Sequence, residues 1–186
     1  MKQKLLFLLI FVIFNAAGCS RGLVGGIYKH AGDGDNKESA TAFIILSNIY
    51  LSENDIEKIK KDYEKEKNKN RKYYYEYLLA KRTQEEQYIT AFINSSKDSM
   101  GVLMRNDSNW ISVASPIYKQ LAYYSKTNDD ALNILFELTK NGDGANLAIV
   151  AEDLFEIQKI NAERFSEAAR NAGVREAIIM DLIENE

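Results

Sequence analysis

From Glu38 to the C-terminus, apolar residues recur at three- and four-residue spacing, and there are no alternating runs of useful length. That is the period of helices with one buried face, whereas a half-buried strand needs period two. The chain holds a single proline, Pro116, so little interrupts these runs. The pattern predicts an all-α fold, with antiparallel helical hairpins forming a bundle or a short α-solenoid; no tetratricopeptide signature accompanies it.

Capping chemistry suggests where the helices divide. Phe43, Leu46, Ile49 and Tyr50 keep helical spacing up to Ser52, whose hydroxyl can cap the next helix, with Glu53 and Asp55 favourable at its positive end. Thr83 and Glu86 have the spacing of a capping box ahead of Tyr88, Phe92 and Ile93. Ser115-Pro116 reads as a helix start, because proline costs little in a first turn. Thr127 or Asn128 caps a helix carrying Leu132, Leu135, Phe136 and Leu138, which Gly142 closes. Asp143 opens the next, with Leu147, Val150, Leu154 and either Ile157 or Ile160. Gly173 separates a helix around Phe165 from a last one around Ala177, Ile178 and Leu182.

The stretch EKIKKDYEKEKNKNRKYYYEY mixes lysines with tyrosines, a combination that can hold phosphates or stacked bases. Its charges point elsewhere. Glu57 with Lys60 and Lys61, Asp62 with Lys65, Glu64 with Lys67 and Glu66 with Lys69 lie one helical turn apart, as on a solvated helix. A long helix that projects, or packs only at its ends, is expected here. Tyr73, Tyr74, Tyr75 and Tyr77 cannot all face one core from such a helix, so they form a candidate interaction surface.

The N-terminus follows different rules. Lys2 and Lys4 precede an apolar run from Leu5 to Phe14, only about half the roughly 20 residues that cross a bilayer, and the run ends in Ala16, Ala17 and Gly18. Positive start, short apolar core and small residues are the layout of a secretory signal peptide. Ala16-Ala17-Gly18-Cys19 resembles the lipobox of bacterial lipoproteins, with alanine where leucine is usual at the first position. The resemblance implies that Cys19 is lipidated and becomes the mature N-terminus, carrying a thioether-linked diacylglyceryl group and an N-acyl chain. It further implies, from Ser20 in place of aspartate, sorting to the outer membrane. Independently, Cys19 is the only cysteine, so an intramolecular disulfide is impossible and an exported lone thiol calls for a use. Two or three acyl chains, at about 0.8 kcal/mol per buried CH₂, give stable attachment.

Residues 1–18 are thus expected to be a signal peptide, 19–37 a lipidated cysteine and tether, and 38–186 the helical domain. Gly22, Gly25, Gly26, Gly32 and Gly34 support a flexible tether, with a short strand at 23–28 as the alternative. About 18 such residues have a root-mean-square reach near 25 Å. The mature chain of 168 residues, with 22 basic and 27 acidic groups, carries a net charge of −5, which disfavours a general nucleic-acid binder.

No cofactor or metal site is expected. NGDGANLAIVAE at 141–152 has Ala145 and Asn146 where a calcium loop needs a ligand and a glycine, and Lys37 spoils DGDN at 33–36. His30 is the only histidine and falls in the expected tether, so no Ser-His-Asp or His-based metal site suggests itself. The expectation is a non-enzymatic lipoprotein on the outer membrane, facing the periplasm, whose helical body binds a protein partner as an assembly factor, pilotin-like protein or scaffold. The alternatives are an immunity or exclusion lipoprotein that neutralises a toxin or phage product, and an envelope-acting enzyme.

Overall fold

A computed structural model describes residues 22–34, 36–99, 101, 111–141 and 144–174. The helical period resolves there into nine helices, with no strand among the described residues: α1 (22–33), α2 (Asn36–Asn48), α3 (Glu53–Lys65), α4 (Lys69–Thr83), α5 (Glu86–Asp98), α6 (Ile111–Ser125), α7 (Asp129–Asn141), α8 (Gly144–Ile160) and α9 (Ala162–Ala172). The expected signal peptide, Cys19, Gly142, Asp143 and the expected last helix lie outside the described residues.

Side-chain caps set several of the boundaries. Ser52 and Asp55 form a reciprocal capping box at α3: the Ser52 hydroxyl accepts from the Asp55 N–H at 3.3 Å, and the Asp55 carboxylate accepts from the Ser52 N–H at 2.9 Å. Asn68, Asn128 and Asn161 cap α4, α7 and α9, each side-chain carbonyl accepting a backbone N–H three residues on at 3.0–3.1 Å. Gly173 closes α9 at φ 68°, a left-handed position that costs glycine little.

Two expected starts differ. Thr83 is the last residue of α4 and Glu85 is the N-cap of α5, because Gln84 adopts the left-handed conformation at φ 56° and ends α4 one residue later. Pro116 lies inside α6 rather than in a first turn.

The long projecting helix is corrected to a hairpin. Glu66, Lys67 and Asn68 break it, and α3 folds back along α4, with the Tyr63 hydroxyl 3.4 Å from Glu76 and Lys60 2.8 Å from Glu85. Of the expected turn-spaced ion pairs, Glu57–Lys60 forms at 3.4 Å, while Glu66 turns to Arg71 at 2.7 Å.

With α3 folded onto one side and α2 and α5 packed on others, α4 becomes an interior helix whose residues 73–80 are all buried. That geometry corrects the reading of Tyr73, Tyr74, Tyr75 and Tyr77 as an exposed surface: they are 2, 2, 5 and 0 % exposed. A helix covered on every side has no solvent face to give its tyrosines. Their hydroxyls find internal partners instead, Tyr73 at Ser96 (3.1 Å), Tyr75 at Tyr28 (3.2 Å) and Tyr77 at Ser47 (3.2 Å).

The tether is corrected as well. Residues 22–33 are helical, with Val24 and Ala31 buried and Ile27 and Tyr28 packed on the core, a stripe at helical spacing. A Cβ added at Gly22, Gly25, Gly26 or Gly32 would meet nothing within 4 Å, so these glycines are not there for close packing. They lower helix propensity, and tertiary contact offsets it. The Tyr28 hydroxyl donates to Asp62 at 2.8 Å, the Ala31 carbonyl accepts from Ser39 at 2.6 Å, and the Arg71 guanidinium donates to the Gly32 carbonyl. The helical body therefore begins by residue 22 rather than 38.

The second half, α6 to α9, is built from neighbouring helices: α6 packs on α7 and α8, and α9 on α7 and α8, with Phe136 edge-on to Phe165 at 5.0 Å. Here Ile157 is the buried member of its pair and Ile160 is 62 % exposed. Contacts of α2 with α6 and of α5 with α7 join the halves. The core runs through both, from Phe43 and Leu46 by way of Phe92 to Leu135 and Phe165.

Candidate functional site

With the four tyrosines in the core, the surface they were expected to form does not exist, and the site must be sought elsewhere. His30 is exposed on α1, and among the described residues no group of three or more His, Cys, Asp or Glu side chains is placed to hold a metal. No helix among them is long and apolar enough to cross a membrane.

Among the described residues, a cleft of about 360 Å³ lies where α5, α7 and α9 meet. Ile93 and Ile134, 2 and 4 % exposed, form its floor. Asn94, Asn133 and Asn171 rise from the three helices, one from each. An asparagine amide both donates and accepts, which matches the alternating donors and acceptors of a peptide backbone. Lys97, Asp130 and Glu137 add charge of both signs. The volume lies near the lower end of the range of about 300–1,000 Å³ for small-ligand pockets. The arrangement can hold a short polar segment.

Its geometry comes from helix direction. α5 leaves the turn at Gln84-Glu85, and Asn94 and Lys97 lie in its last two turns. α7 starts from the Asn128 cap and brings Asn133 and Glu137 one turn apart to the same side. α9 runs in the same direction as α7, from Arg164 beside Asp129 to Ala172 beside Lys140, so Asn171 reaches the cleft from its last turn. None of these residues stood out in the sequence, where three asparagines spread over 78 positions carry no motif.

One buried carboxyl sits apart from the cleft. Glu76 is 5 % exposed on α4; its Oε1 accepts from the Tyr63 hydroxyl at 3.4 Å and its Oε2 is buried without a hydrogen-bond partner. Burial raises its pKa above the usual 4.5, against the opposing pull of Ser95, Tyr63 and Lys72. Burial likewise pushes the Tyr63 phenol up to about 12, with the charge of Glu76 adding to it.

The folded chain therefore holds the Glu76 proton to higher pH than the unfolded chain does. Its contribution to stability is full below pH 4.5 and is lost as pH rises through the folded value. Glu76→Gln, which cannot ionise, should gain stability relative to the parent as pH climbs from 4 to 8. Urea unfolding across that range checks it, and an equal difference at both ends would count against a buried, proton-holding Glu76. Compared with known proteins, the chain matches no family model, no curated protein and no solved structure.

Proposed function

We propose that this protein is a bacterial lipoprotein, held by an acylated Cys19 on the outer membrane and facing the periplasm, whose helical body binds a protein partner of the cell envelope and does not act as an enzyme. The observation that carries the anchoring is the order of charge, short apolar run, small residues and Cys19 within the first 19 residues. The cleft between α5, α7 and α9 replaces the tyrosines as the binding surface, because its asparagines suit a polar segment of another protein. An assembly factor or scaffold uses such a surface to hold a partner near the membrane.

The test is crosslinking in living cells, followed by purification and mass spectrometry, on the native protein and on two variants. The native form should capture one reproducible partner. Cys19→Ser should abolish lipid labelling, leave the leader attached and lose the partner; continued labelling would refute the anchor. Asn133→Trp, which fills the cleft from a half-buried position, should remain anchored and lose the partner. Undiminished capture by that variant would refute the cleft.

A further inference from the structure

If Cys19 is the anchor, as proposed above, the position of α1 decides how the body sits. Three peptide units separate Cys19 from Gly22, the first described residue of α1, and at no more than about 3.6 Å each they span at most about 11 Å. The body cannot range over the roughly 25 Å that a free tether of about 18 residues would allow. The end of the bundle that holds the start of α1 must lie against the bilayer.

That end can be identified from contacts. Along α4, Arg71 meets Gly32 and Tyr75 meets Tyr28, so α1 runs opposite to α4. Phe43 packs on Tyr75, Ser47 meets Tyr77 and Asn48 meets Lys81, so α2 runs with α4. Tyr63 beside Glu76 and Lys60 beside Glu85 set α3 opposite to α4. The start of α1, the ends of α2 and α4 and the starts of α3 and α5 therefore share one end.

Two large apolar side chains stand exposed there: Leu23 in the first turn of α1, at 60 %, and Tyr50 in the turn between α2 and α3, at 79 %. The neighbouring turn residue Leu51 is buried, so Tyr50 is left outside while its neighbour enters the core. A tyrosine with an apolar ring and a polar tip suits the interface between headgroups and acyl chains. Charge at this end is mixed: Glu53, Asp55, Glu57, Glu85 and Glu86 share it with Lys58, Lys60, Lys81 and Arg82, and Lys60 is paired to both Glu57 and Glu85. Attraction to anionic lipid is therefore weak, and the exposed apolar side chains do the docking.

We infer that Leu23 and Tyr50 insert into the lipid interface beside the acylated Cys19 and stand the first five helices on end, with α4 running towards the membrane. The turn at Lys67 then lies farther out by the length of α4, about 22 Å for 15 residues. Asn94 and Lys97, in the last turns of α5, also lie away from the bilayer, where a partner can reach the cleft.

The experiment uses mature protein purified from bacterial membranes and reconstituted into phosphatidylethanolamine–phosphatidylglycerol vesicles with brominated acyl chains, which quench tryptophan on contact. The parent, whose only tryptophan is Trp110, supplies the baseline. Tyr50→Trp should add emission that is mostly lost in brominated vesicles, and Lys67→Trp should add emission that is kept. Equal quenching at both positions, or none at Tyr50→Trp in a protein that floats with the vesicles, overturns the docking and leaves the anchor intact. An unacylated Cys19 peptide by mass overturns the anchor itself.

Discussion

Phe92→Ala is expected to remove about 3–5 kcal/mol of folding stability, the range for deleting a fully buried aromatic side chain. Phe92 has no exposed surface, and its ring lies 5.6 Å from Tyr73, 5.7 Å from Tyr77 and 6.2 Å from Tyr124. It comes from α5 and touches two tyrosines of α4 and one of α6, so its loss opens a cavity where the two halves of the bundle meet. The surrounding tyrosines cannot simply close in, because Tyr73 and Tyr77 are held by hydroxyl contacts to Ser96 and Ser47. Denaturant titration should show a lower midpoint with little change in slope. Tyr123→Ala, at 58 % exposure on α6, provides the contrast and should stay within about 0.5 kcal/mol. A Phe92→Ala chain as stable as Tyr123→Ala would mean that α5 does not pack where it is placed.

The helical class was legible because it depends on local spacing, and so were caps that act on their own backbone: Ser52, Asn128 and Gly173 can be read from chemistry within a few residues. What could not be read depends on neighbours distant in the chain. Four nearly consecutive tyrosines look impossible to bury if one face of a helix is assumed to be wet, and only the enclosure of α4 by α2, α3 and α5 removes that assumption. The same enclosure explains the missed hairpin: most charges of α3 do face solvent as expected, but Ile59 and Tyr63 pack into the core and the Tyr63 hydroxyl reaches Glu76 of α4. In α1, five glycines in 22–34 hid a short apolar stripe that forms only because α2, α3 and α4 are there to receive it. The cleft was invisible for a related reason. Its asparagines meet only when α9 has packed alongside α7.

These corrections change the functional picture more than the fold. An exposed tyrosine cluster on a long tether would describe a body that searches widely and binds through aromatic stacking. A buried cluster and a chain already helical at residue 22 describe, if Cys19 is the anchor as proposed, a body held close to that anchor. On the proposed reading, a partner is then held by a surface turned away from that point. The cleft meets that requirement, because α5 carries it away from the end where α1 begins.

The second large effect is expected from Arg164→Met, which keeps the aliphatic stem and removes the guanidinium, at a cost of about 1.5–3 kcal/mol. α6 has no basic residue in its last turn, so its terminal carbonyls and the negative end of its dipole need help from elsewhere. Arg164 supplies it from α9: Nη1 donates to the Ser125 carbonyl at 2.8 Å, while Nε donates to the Asp129 carboxylate at the start of α7. One side chain thus ties three helices at the α6–α7 turn. The two contacts are not equal. Asp129 is 75 % exposed, so that ion pair is screened and worth little, whereas the bond to the Ser125 carbonyl is partly buried and charge-assisted. Asp129→Ala should therefore cost less than about 1 kcal/mol. Hydrogen exchange should locate the difference, with amides at the end of α6 and the start of α7 losing protection in Arg164→Met and keeping it in Asp129→Ala. Equal costs for the two substitutions would assign the clamp to the ion pair, and the bond from α9 to the α6 carbonyl would lose its place in holding the second half together.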